Sequence, residues 1–153
     1  MKTSITVEGF RELDAALGDL PKATAKNAMR RVLIKAATPI AEEAARLAPK
    51  FSGDLRDSIA ASTKLSKRQA RQNRKDPSRS YVEVYAGAGA LPQAHLREFG
   101  ADHHAPEPFM RPAWDGGKDA ALAGIKDDLA NEIDNAAKRL ARKQARLIAK
   151  AGG

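Results

Sequence analysis

The segment Pro106-Glu107-Pro108-Phe109-Met110-Arg111-Pro112-Ala113-Trp114 sets three prolines around a Phe, a Met and the only Trp of the chain. Proline locks φ and removes a backbone donor, so residues 106–112 are expected as an extended or turning rim and not as a helix or central strand. A rim of this kind makes few backbone bonds of its own and needs a docking surface. Phe109, Met110 and Trp114 are its anchors, seated either in this chain's own core or against a neighbouring subunit.

Aromatic residues make up only 5% of the 153 positions. The core must therefore come from Ala, Leu, Ile and Val, which favours thin helical layers in a single domain and leaves a monomer short of large anchors. Oligomerisation follows as an expectation. The chain has no cysteine, which excludes a disulfide framework, a thiolate nucleophile and thiolate-held zinc or iron–sulfur groups. The first residues lack the apolar core of a signal peptide, and no stretch approaches the ~18–20 apolar residues of a membrane span. A soluble protein made in the cytoplasm, without a membrane partner, is expected.

Apolar spacing orders the elements. Residues 3–7 alternate as a short strand, and Phe10, Leu13, Leu17 and Leu20 mark a helix over residues 9–19. From residue 21 to 48, Ala25, Ala28, Met29, Val32, Leu33, Ala36, Ile40, Ala44 and Leu47 trace a helical stripe, with Pro39 predicting a kink near residues 35–39. A short helical turn at 52–57 runs into a strand near 57–65, which pairs as an antiparallel hairpin with a strand at 80–86; residues 65–80 are read as the hairpin loop. One helical turn at 93–100 precedes the rim. A long Ala-rich helix then covers 113–149, its first turns weakened by Gly116, Gly117 and Gly124. The fold class is α+β: a long kinked N-terminal helix and a long C-terminal helix packed on a small antiparallel sheet. Residues 1–135 form the domain and 136–153 a basic helical extension.

The formal net charge of +8 is concentrated in two places. Lys64, Lys67, Arg68, Arg71, Arg74, Lys75 and Arg79 face one acid, Asp76, while Lys138, Arg139, Arg142, Lys143, Arg146 and Lys150 close the chain with no acid after Asp134. The first group can grip phosphates by counterion release or dock on an acidic protein surface; without an aromatic residue or a recognition helix, its DNA contact is non-sequence-specific. His95, His103 and His104 lie near Glu98, Asp102 and Glu107 in sequence but match no helical metal-ligand spacing. The Gly87-Ala88-Gly89 turn lacks the rest of a dinucleotide or phosphate loop. The reading is therefore a non-enzyme without cofactor or metal.

Four signatures occur in order: Val7-Glu8-Gly9-Phe10-Arg11-Glu12-Leu13; Ala48-Pro49 with Ser52-Gly53-Asp54-Leu55-Arg56-Asp57-Ser58-Ile59; Arg97-Glu98-Phe99-Gly100; and Pro106-Glu107-Pro108-Phe109-Met110-Arg111-Pro112-Ala113. Together they resemble the HK97 gp10-like family of tailed-phage head–tail connector and tail-completion proteins over residues 5 to about 130. Ser52 stands where the family pattern usually has Thr and keeps the hydroxyl. The resemblance implies a structural virion protein: a small α+β subunit of a ring, expected as a hexamer, in the phage neck. Its implied partners are the tail terminator, the stopper or connector and the tail tube, with non-specific DNA contact in the lumen and assembly in the host cytoplasm. On this reading Arg56, Glu98, Phe99, Phe109, Met110, Arg111 and Trp114 are interface residues, with Arg111 pairing a carboxylate such as Glu98 and Arg56 acting as a similar clamp. The competing reading is a DNA-binding accessory protein using the basic segment 64–79 and the C-terminal helix.

Overall fold

A computed structural model describes residues 10–50, 53–72 and 82–151. The strand expected at 3–7 and the turn at Phe51-Ser52 lie outside these residues. The described chain is mostly helical, with one small antiparallel sheet.

Helix α1 (Phe10–Gly18) precedes α2 (Lys22–Leu47), separated from it by the break at Pro21. Helix α2 runs through Pro39 as one element, and Thr38 donates its hydroxyl to the carbonyl of Ile34 one turn back. The residues buried along it are Ala28, Val32, Ile40, Ala41 and Ala44, so the apolar stripe faces inward as its spacing requires. Leu47, at the end of that stripe, is exposed. Beyond α2, Gly53 takes a left-handed φ of 82° and starts the short helix α3 (Asp54–Ser58), which runs into β1 (Ala60–Ser62).

Residues 65–80 are not simply a loop: helix α4 (Lys67–Gln72) forms within them. Ser66 and Gln69 bond reciprocally, the Gln69 amide to the Ser66 hydroxyl and the Ser66 amide to the Gln69 side chain, which satisfies donors at the helix start. Strand β2 (Tyr85–Gly87) is shorter and later than the alternation at 81–86 predicted. Tyr81 lies outside the described residues, and Val82, Glu83 and Val84 belong to no regular element. The register pairs Ala60 with Gly87, Ala61 with Ala86 and Ser62 with Tyr85. Pairing stops there because the partner strand ends at Ser62, and alternation without a partner forms no ladder.

Helix α5 (Pro92–Phe99) leads through a tight turn and the proline segment to α6 (Met110–Ala151). The rim is shorter than expected, since Arg111 and Pro112 already lie in the first turn of α6. A proline there removes only an amide that has no intrahelical partner. The glycines do not delay the helix either, because its N-terminus is held by contacts described below.

Helices α2 and α6 run antiparallel: Ile40 meets Gly117, Lys35 bonds Asp128 at 2.7 Å and Arg31 bonds Glu132 at 2.5 Å. One core cluster joins Ile40, Ala41, Ala44, Ala48, Leu55, Ile59, Phe109 and Ala113, with the sheet against it. A second joins Val32, Leu129 and Ile133 to Leu13, Leu17 and Leu20 from the α1 end. At 1.5 Å per residue, α6 is about 63 Å long against about 39 Å for α2, so α2 cannot cover it. The helix crosses residues 135 and 136 without a break, its last buried residue is Ala136, and every described residue from 141 onward is exposed.

Two glycines of α6 test this packing. A Cβ on Gly117 would lie 2.8 Å from Ile40 Cγ1, whereas one on Gly124 meets nothing within 4 Å. Gly117→Val is expected to lower stability by about 1–3 kcal/mol through overpacking, and Gly124→Ala to raise it by about 0.5–1 kcal/mol through helix propensity. Urea denaturation of the two variants checks the difference; equal effects would contradict this α2–α6 contact.

Candidate functional site

Helix α5 is closed by Gly100 at φ 82°, whose amide bonds the carbonyl of Leu96 at 2.8 Å. A side chain is excluded there, because a Cβ would lie 3.0 Å from the His104 carbonyl oxygen and 3.1 Å from Pro106 Cδ. Ala101 and His104 exchange backbone bonds across the turn, and the Glu107 amide then bonds the Arg97 carbonyl at 2.7 Å. The proline segment is thereby strapped along α5. That path brings the backbone at 109–111 to the Glu98 side chain.

The Glu98 carboxylate accepts the backbone amides of Phe109 at 2.8 Å, Met110 at 2.9 Å and Arg111 at 3.1 Å. These include the first amides of α6, which have no partner within their own helix, so α5 supplies the N-terminal cap of α6. Arg111 completes the arrangement, its Nε donating to the carboxylate at 3.0 Å and a terminal nitrogen to the Glu98 carbonyl at 2.7 Å. The pairing expected from sequence is therefore made, and within one chain. Glu98 is 5% exposed. Its burial disfavours ionisation, but the amides of Met110, Phe109 and Arg111 together with the guanidinium outweigh that penalty and hold its pKa below the ordinary glutamate value.

Outside this buried corner lies an apolar surface. The Arg111 guanidinium sits 5.0 Å over the Phe99 ring, and His95 packs against the same ring at 4.8 Å between centroids. Phe99 and Trp114 are each 56% exposed, and Leu96 is exposed beside Phe99 on α5. Trp114 is one turn beyond Arg111 on α6, so these groups share an edge.

Phe109, Met110 and Arg56, expected at an interface, make contacts within the chain. Phe109 is 1% exposed and fills the first core cluster, the first of the two seats expected for it. Met110 packs half-buried against that cluster. Arg56 is a clamp, but on α2: it donates to the carbonyls of Ala48 at 3.3 Å and Arg46 at 3.0 Å. A cation is favoured at a helix C-terminus, where carbonyls lack partners.

Of the basic segment, Lys64 is exposed after β1, and Lys67, Arg68 and Arg71 project from α4. Arg74, Lys75 and Arg79 lie outside the described residues. His103 and His104 are exposed at the turn after α5. Among the described residues no three His, Asp or Glu side chains gather as a metal site, and no helix is long and apolar enough to cross a membrane.

The sequence profile of the bacteriophage HK97-gp10-like family, described as a tail component, matches residues 11–100. The chain belongs to the HK97-gp10-like family. The matched span contains the Gly53-Asp54-Leu55-Arg56 turn and Arg97-Glu98-Phe99-Gly100, whereas the proline segment that Glu98 holds lies just beyond it. In this HK97-gp10-like chain the matched region thus ends on the carboxylate's own helix and its closing glycine. No match is found among curated proteins or among solved structures.

Glu98→Ala is expected to cost about 2–4 kcal/mol, because three amides lose their acceptor at a buried site and Arg111 loses its partner. Because the folded-state pKa is depressed, the stabilisation is present above the unfolded-state value and is lost as pH falls through the folded value. Thermal melts from pH 7 to pH 3 check both statements. Glu98→Gln should flatten the acid limb of the profile; an unchanged limb would count against this carboxylate.

Proposed function

We propose that this tail component is a ring subunit of the phage neck that joins the head connector to the tail, with six copies closing the ring. The observation that carries the reading is the clamped corner between α5 and α6, where the buried Glu98 carboxylate pairs with Arg111 beside an exposed Leu96, Phe99 and Trp114 edge. Subunits that contact head to tail must offer each neighbour the same rigid patch, and large apolar groups on an immobile edge meet that need. Membership of a bacteriophage tail-component family supports a place in the virion. A bend of α2 at Pro39, where one ladder bond is missing, would let its two halves serve the two core clusters.

The partners on this reading are copies of the chain itself, the tail terminator, the stopper or connector layer, and the tail tube. Phe99 and Trp114 contact a neighbour, and Arg111 positions Phe99 from within. Phe109 supports the same edge from the core. The basic side chains of α4 face an acidic partner surface or DNA in the lumen.

The double variant Phe99→Ser with Trp114→Ser removes the edge without touching the core, so its melting point should stay close to that of the parent chain. Particles carrying it should accumulate as separate heads and tails by negative-stain electron microscopy, at least tenfold above the unmodified phage. Normal joining would reject the role of this edge. Phe109→Ala should instead cost about 3–5 kcal/mol of folding stability, because the cavity opens inside the subunit.

A further inference from the structure

Two stretches of the chain hold cations without acids. Between Asp19 and Glu42 there are five cations and no acid, and after Asp134 there are six and no acid. These eleven exceed the whole net charge of +8, so the rest of the chain is acidic on balance. Because α2 and α6 run antiparallel, the first half of α2 lies along the second half of α6, and the two stretches meet at one end of the helix pair.

They meet across a groove of about 270 Å³, lined by Thr24 and Arg31 from α2 and by Arg139, Leu140 and Lys143 from α6. Among the described residues one acid serves these cations: Glu132 accepts from Arg31 at 2.5 Å and lies 3.5 Å from Arg139. Lys143 makes no ion pair with a described residue, and the Thr24 hydroxyl makes no hydrogen bond with one. The charge does not stop where α2 begins. On α6, Arg139, Arg142, Lys143, Arg146 and Lys150 fall within one arc of about 100° and run for about 17 Å along the axis. Lys138, which pairs with Asp134, lies outside that arc, as do Leu147 and Ile148. Favourable interaction with the helix dipole accounts only for Lys150, since the effect fades beyond the last turn.

A protein partner seated on this track would need apolar or aromatic anchors at the centre of the contact, where charge is normally depleted. The track has the reverse character, with cations throughout and no aromatic residue. A linear polyanion suits it, because each Lys or Arg beside a phosphate releases condensed counterions and the guanidinium fork matches phosphate oxygens. We propose that the track binds the phosphate backbone of duplex DNA without regard to sequence. One phosphate sits in the groove between Arg139, Lys143 and the Thr24 hydroxyl, and its neighbours lie along Arg142, Arg146 and Lys150. This goes beyond the ring reading and rests on neither the ring nor the Phe99 and Trp114 edge, since Trp114 stands at the other end of α6.

Fluorescence anisotropy of a labelled random-sequence DNA duplex with the full-length chain tests this. Affinity should fall by about two to three orders of magnitude between about 50 and about 200 mM salt, as about five phosphate contacts require. Arg139→Gln with Lys143→Gln should lower the slope of log affinity against log salt by about 2 and weaken binding at least about tenfold. Both residues are exposed, so the fold does not depend on them. Lys22→Gln with Lys26→Gln removes the same charge from the side of α2 away from Thr24, and it should leave that slope unchanged. Thr24→Val keeps the charge and should weaken binding by about threefold with the slope unmoved. Equal losses from the two charge-removing pairs would reduce the effect to diffuse attraction and overturn the site, as would no binding at about 50 mM salt. Loss only on Lys67→Gln with Arg71→Gln would move the DNA contact to α4 and overturn it as well. Displacement of the duplex by polyglutamate as readily as by unlabelled DNA of equal charge would assign the track to an acidic protein surface instead. Phe99→Ser with Trp114→Ser should bind DNA as the parent chain does, so failure of this site and failure of the head–tail reading are told apart.

Discussion

The carboxylate of Glu98 holds together three parts of the chain: the end of α5, the proline segment and the first turn of α6. A helix start leaves amides without partners, and the guanidinium of Arg111 lying against that start favours an anion; one buried carboxylate answers both demands. Because the acceptor comes from a different helix, the cap also sets the angle at which the chain leaves the rim. Phe109 is then delivered into the core, and α6 starts where its Ala113 and Gly117 can lie against Ile40. The same corner leaves Phe99 and Trp114 outside. Stability and the exposed edge thus share one cause.

The α2–α6 pair is built for close approach and not for bulk. Ala28, Ala41 and Ala44 on one side and Ala113, Gly117 and Ala136 on the other bring the backbones near each other, with Phe109 the largest fully buried side chain among the described residues. A core of this composition yields less burial per residue than one with several aromatics. The exposed ion pairs Arg31–Glu132 and Lys35–Asp128 fix the relative orientation of the helices more than they stabilise them. The length mismatch between the two helices then leaves the basic end of α6, from residue 141 onward, without a packing partner among the described residues.

Much of this was readable from residue order. Spacing of Leu13, Val32, Ile40, Leu129 and Ile133 at helical intervals located α1, α2 and α6, since burial of one helix face imposes that period. The pairing of Arg111 with Glu98 and the hairpin of β1 with β2 were also foreseen, although β2 proved shorter because its partner strand ends at Ser62. Helix α4 departs from the loop that the density of basic residues suggests, and its signal is the capping-box pattern of Ser66-Lys67-Arg68-Gln69.

Amino-acid order alone settled what each segment prefers: which faces are apolar, where proline and glycine interrupt, where positive charge gathers, and which chemistries lack their residues. Those preferences arise from local sterics and side-chain character, which a short window of residues already contains. The three-dimensional packing settled what Phe109, Arg56 and Glu98 do. Phe109 and Trp114 stand five residues apart with similar character, yet one is sealed in the core and the other lies in solvent. Arg56 finds the carbonyls of α2, and Glu98 finds amides eleven to thirteen residues away. Each outcome depends on where another element ends in space, and no local spacing encodes that.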